Sequence, residues 1–132
     1  MHLNWKALAR DIAIVWVAMN LGGLVVGFAG ALLLGPNAMT DPRVQLSISF
    51  SSFVFGTVGF TIAGALVKVG RFKHLLIVAF AVWLISATAL LIAPLTFQQW
   101  LWGLPFNSVV ALIGGCLSFL FVRSAKVESG GA

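Results

Sequence analysis

Four stretches without a charged residue, 12–34, 44–67, 75–93 and 105–122, constrain this 132-residue chain more than any other feature. They contain 23, 24, 19 and 18 residues. At about 1.5 Å rise per residue, even an 18-residue helix reaches ~27 Å, close to the ~30 Å hydrocarbon thickness of a bilayer. Lipid offers no partners to backbone polar groups, so only helices or closed barrels cross it, and these runs lack the alternation of barrel strands. The three connections hold 7 to 11 residues, which leaves neighbouring helices no choice but to reverse. The sequence therefore predicts an all-α membrane protein: four antiparallel transmembrane helices in a single bundle.

Composition supports this and excludes a water-soluble globule: 61% of residues are hydrophobic and 8% charged, against roughly 25% charged in soluble domains. All 11 charges fall outside the four stretches, as do three of the four prolines, the fourth opening the last stretch. Pro36 and Pro42 lie in the first connection, Pro94 opens the third, and Pro105 stands where a first helical position tolerates its missing N–H. No linker or repeat divides the chain, so residues 1–132 read as one domain ending in a short tail, 123–132. The Gly- and Ser-rich end of that tail, Glu128 to Ala132, is expected to be disordered.

Orientation follows from the basic residues. Lys6 and Arg10 precede the first span, Lys68, Arg71 and Lys73 lie between the second and third, and Arg123 and Lys126 follow the fourth. Arg43 alone falls on the other side. The positive-inside rule then places both termini in the cytoplasm, with the chain in a cell membrane of the bacterial inner-membrane kind. The first hydrophobic run, at 23 residues, exceeds the roughly 7 to 15 of a signal-peptide core and is expected to remain as a helix. A net charge of +5 reports this topology and contact with anionic headgroups, not nucleic acid.

The chemistry expected inside the spans is sparse. Ion-coupled transporters keep ionisable groups at membrane depth, where they are costly; none of the four stretches contains Asp, Glu, Lys, Arg or His. This departs from the small multidrug-resistance antiporters, which rely on a carboxylate in the first helix, at a depth where this chain has Asn20. Enzyme motifs are absent, and Asp41, the single outer carboxylate, has no second member for acid–base work. His2 and His74 read as interfacial side chains, and Cys116, among Gly114, Gly115 and Ser118, as a small residue suited to close packing. We expect no catalytic, metal or cofactor-binding residues.

What the spans do contain is small and uncharged. Ala13, Asn20, Gly23, Gly27 and Ala31 share a helical face, as do Ser49, Ser52, Gly56, Gly59 and Ala63 in the second span and Asn107, Ala111, Gly115 and Ser118 in the fourth. Such stripes let backbones approach closely, which predicts a tight core of the first, second and fourth helices and a third that is the most lipid-exposed or else faces a partner protein. Hydroxyls on several faces of the second helix, from Ser47 to Thr61, either satisfy their own backbone or, with Asn20 and Asn107, line a polar path. Phe97, Trp100 and Trp102 suit an outer interfacial anchor. Two readings of function follow. One is an accessory or assembly component of a membrane complex that acts through helix packing. The other is a small oligomeric carrier, flippase or channel for a neutral or lipid-linked solute. Partners compatible with both are the lipid bilayer, further copies of the chain, or another membrane protein.

Overall fold

In the computed structural model, which describes residues 4–92 and 96–129, the chain is a helical bundle with four helices long and apolar enough to span a membrane. Helix α1 runs Trp5–Leu34, α2 Pro42–Leu66, α3 Arg71–Ile85, the short α4 Ala89–Ile92, and α5 Phe97–Ser129. A 3₁₀ segment, Gly35–Thr40, joins α1 to α2, and another, Ser86–Thr88, joins α3 to α4. Pro94 lies outside the described residues.

The helices begin where local chemistry satisfies their first N–H groups. Asn4 accepts from the Ala7 N–H at 3.2 Å, and Asp41 accepts from the Arg43 N–H at 2.7 Å ahead of Pro42. Between α2 and α3 the chain turns at Gly70, whose φ of 66° is one that glycine adopts without strain. Arg71 reaches back from that turn to the Val67 carbonyl at the end of α2, and its guanidinium lies 4.1 Å from the Phe119 ring centre. A cation at a helix C-terminus meets the negative end of the helix dipole.

Several boundaries differ from the sequence reading. Helix α1 starts at Trp5, ahead of the 12–34 stretch, and so carries Lys6, Arg10 and Asp11. The fourth span starts at Phe97, not at Pro105, which lies inside the helix. The cause is a capping box: the Gln99 N–H donates to Thr96 Oγ1 at 3.2 Å, while Gln99 Oε1 accepts from the Thr96 N–H at 2.9 Å. The same helix continues to Ser129, so Glu128 and Ser129, expected in a disordered end, belong to α5.

Helix α2 packs against α1 and α5, α5 also packs against α3, and α3 meets α1 again. Along the α1–α2 contact the numbering runs in opposite senses. Gly59 lies under Val15 and Ala18, Gly22 under Ser51 and Phe55, and Gly30 under Val44. Along α2–α5 it runs in one sense, Gly56 meeting Val110, Phe60 meeting Gly114, and Gly64 meeting Ser118. The shared core is built from Leu8, Val15, Phe60, Ala63, Leu75, Val78, Ala79, Val82, Val110 and Ala111.

The third span is not the most exposed one. In the most apolar 18-residue window of each span, 11% of residues are buried in α1 but 28% in the third. Leu75, Val78, Ala79, Val82 and Trp83 recur at helical spacing and turn inward. A Leu- and Val-rich composition does not distinguish a lipid face from a core face, because both are apolar.

Candidate polar groove and buried Asp–His pair

Two constellations stand out against this apolar background. The first is a groove of about 450 Å³ lined by Trp16, Met19, Asn20, Ser52, Val82, Ser86, Thr88, Ala89, Gly103 and Asn107. All four spanning segments contribute, and every polar side chain in it is an uncharged amide or hydroxyl. Asn107 and Val82, both buried, form its floor, whereas Trp16, Asn20 and Thr88, all exposed, form its rim on the α1 and α3 sides.

Several of these polar groups are already partly engaged. Asn20 Nδ2 donates to the Trp16 carbonyl at 2.7 Å, Thr88 Oγ1 to the Ile85 carbonyl at 2.8 Å, and Ser86 Oγ to the Trp83 carbonyl at 2.6 Å. Ser86 Oγ also accepts from Trp100 Nε1 at 3.2 Å. The Asn20 carbonyl oxygen, the Ser52 hydroxyl and the whole Asn107 amide, 6% exposed, keep hydrogen-bonding capacity for an occupant of the groove.

Beside the groove, α3 and α5 are clasped by two indoles. Trp83 and Trp100 stack with ring centres 4.1 Å apart. Trp83 Nε1 donates to the Trp100 carbonyl at 2.9 Å and Trp100 Nε1 to the Trp83 carbonyl at 3.2 Å. Gly103 lies beside this pair, where a Cβ would make an ordinary contact with Trp83 Cδ1 at 3.4 Å. Of the three aromatic residues expected at the interface, Phe97 and Trp102 are exposed, and Trp100 is held in this clasp.

The second constellation centres on Asp11. Its side chain is fully buried, in the second turn of α1. Arg10 Nε donates to Asp11 Oδ1 at 2.8 Å, and His74 Nε2, on α3, lies 2.9 Å from Oδ2. An ionised carboxylate can only accept, so the imidazole is the donor. This corrects the reading of His74 as merely interfacial; Asp11 precedes the 12–34 stretch, but α1 starts at Trp5 and carries it into the bundle. Two donors satisfy the carboxylate and make its burial tolerable. Asp11 and His74 are 63 residues apart, and no local spacing pairs them.

The remaining candidate residues have distinct places. Gly56, Gly59, Gly115 and Ser118 are buried at helix contacts. Gly23 and Gly27 are half-buried beside Ile48 of α2, while the fully buried glycines of α1 are Gly22 and Gly30. Ala13, Asn20 and Ala31 are exposed, so the face of α1 that enters the core lies one residue, or about 100°, from the stripe expected. Ser49 is exposed and donates to the Gln45 carbonyl at 3.0 Å; Ser47, Thr57 and Thr61 bond their own helix in the same way. Of the α2 hydroxyls, Ser52 is the one that lines the groove. Cys116 is exposed on α5, not packed within it, and the close approach is made by Gly114.

Comparison with protein-family models, with curated proteins and with solved structures finds no match to this chain.

Proposed function

We propose that this multi-pass membrane protein receives a neutral polar group in the groove among its four spans, in the manner of a small carrier or flippase, and performs no catalysis. The supporting observation is convergence: Asn20, Ser52 and Asn107, from three helices, line one space with Ser86 and Thr88. Unpaired amides and hydroxyls at membrane depth are expensive to leave without partners. A lining without ionisable groups favours an uncharged occupant, because a buried ion would need a counter-charge.

In this reading the spans alternate in direction and both tails face the cytoplasm of a bacterial inner membrane. The opposed numbering of the α1–α2 contacts and the placement of Lys6, Arg10, Lys68 and Lys73 near helix ends support it. A second reading, an accessory or assembly subunit acting through helix packing, is favoured by one observation: α1 has the least buried apolar window of the four spans, leaving a large flank for another copy or a membrane-protein partner.

Thiol accessibility separates the two. In a Cys116→Ser background, Ser52→Cys is expected to react with a water-soluble methanethiosulfonate, while Val54→Cys and Val58→Cys, exposed on the lipid-facing side of α2, are protected. Uniform protection across the three positions would remove the groove reading and leave the packing one.

A further inference from the structure

We propose that the group received by the groove is the uncharged, hydroxyl-bearing headgroup of a membrane lipid, which reaches it sideways between α1 and α3; this rests on the groove being a binding site. Three observations select that class. First, the free hydrogen-bonding capacity is mixed: Ser52 and Asn107 both donate and accept, and the Asn20 carbonyl oxygen accepts. A polyhydroxyl group, each oxygen of which donates and accepts, matches such a lining, and neither a cation nor an anion finds a counter-charge among the lining residues.

Second, the groove is deep. Ser52 and Asn107 each lie ten residues from the N-terminal ends of α2 and α5, and Asn20 fourteen residues from the C-terminal end of α1. At 1.5 Å per residue these offsets are about 15 Å and about 21 Å, both well inside a ~30 Å hydrocarbon layer. A headgroup tethered to acyl chains can occupy that depth with its chains remaining in lipid.

Third, the α3–α5 seam is tied beside the groove, whereas the α1–α3 seam is tied only nearer the N-terminal ends of its helices. The stacked Trp83–Trp100 pair closes α3 against α5, and the Asp11–His74 bond closes α1 against α3 nearer their other ends. Beyond the Asp11–His74 bond the rim residues Trp16, Asn20 and Thr88 are exposed. Trp16 and Met19 supply apolar surface beside the Asn107 amide, as an amphiphile requires.

Native mass spectrometry of the full chain tests this with three probes: a monoglucosyl diacylglycerol, a phosphatidylserine of matched chains, and free glucose. The glucosyl lipid is expected to be retained over phosphatidylserine, and retention should fall by about five-fold per hydrogen bond removed in Ser52→Ala and Asn107→Leu. Ser52→Ala adds no volume and carries the comparison should Asn107→Leu fail to fold. If free glucose binds as well as the lipid and is lost in the same variants, lateral access by a lipid is overturned and the groove reading stands. If the wild-type chain and both variants retain all probes equally, both are overturned.

Discussion

Asp11 shows how little a charge's position in sequence says about its depth. It directly precedes the first uncharged stretch, where it looks like a solvated residue of the N-terminal tail. In the fold its carboxylate has no exposed surface and joins α1 to α3 through His74. Removing one member of a buried, hydrogen-bonded pair typically costs about 3–5 kcal/mol, because the survivor is left without its partner. Asp11→Ala should therefore lower the thermal unfolding midpoint in detergent markedly, and Asp11→Asn, which keeps an acceptor toward His74, should lower it less. Equal midpoints for the wild type and Asp11→Ala would show that the pair holds nothing together. At this scale, Asn20, Ser52 and Asn107 could be picked out as polar residues in apolar helices. Their meeting with Ser86 and Thr88 could not, because it depends on which faces of four helices converge.

Element boundaries were legible to the extent that capping chemistry was considered. The uncharged stretches locate all four spans, yet Pro105 suggests a helix start that the structure places eight residues earlier, at Phe97. The missing signal was present as Thr96-Phe97-Gln98-Gln99, a Thr-x-x-Gln capping box whose two reciprocal bonds satisfy orphan N–H groups. Thr96→Val should cost about 1 kcal/mol, read as a lower unfolding midpoint, whereas Thr96→Ser should be close to neutral. An unchanged midpoint in Thr96→Val would mean that the helix start is set elsewhere.

Helix contacts follow small residues, as the stripes suggested, but the tightest approach is at a glycine just outside the stripe. A Cβ on Gly114 would lie 2.5 Å from Phe60 Cβ and 3.0 Å from the Thr57 carbonyl oxygen. Backbone cannot yield as a flexible side chain can, so Gly114→Ala should destabilise by about 1–3 kcal/mol through overpacking. Gly27→Ala, whose Cβ would meet only Ile48 Cδ1 and Met39 Sδ at 3.9 and 4.0 Å, should be tolerated. Comparable losses in the two variants would contradict the assigned faces. The α1 face was misread because glycines occur at 22, 23, 27 and 30, and their spacing fits either of two faces about 100° apart.

For the whole molecule, charge and hydropathy convey the class of protein, four apolar helices in a bundle, because a bilayer admits few alternatives. Neighbour order was beyond them: that α2 sits between α1 and α5, and that α3 buries Trp83 against Trp100, depends on side-chain fit. Orientation is a separate prediction. In the Cys116→Ser background, Thr40→Cys, exposed between α1 and α2, should be labelled from outside intact cells, and Lys68→Cys, exposed between α2 and α3, only after the membrane is opened. The reverse pattern would invert the proposed topology.

The central claim is that Asn20, Ser52 and Asn107 line a site for an uncharged polar group, and protection of a thiol at its wall tests this most directly. With Cys116→Ser and Ser52→Cys in proteoliposomes, the modification rate at position 52 should fall several-fold when monoglucosyl diacylglycerol replaces part of the lipid, and phosphatidylserine should leave it unchanged. Thr40→Cys, well away from the groove, should react at one rate in all the membranes. A rate at position 52 that is indifferent to the neutral lipid, or that falls equally with the charged one, would contradict the account.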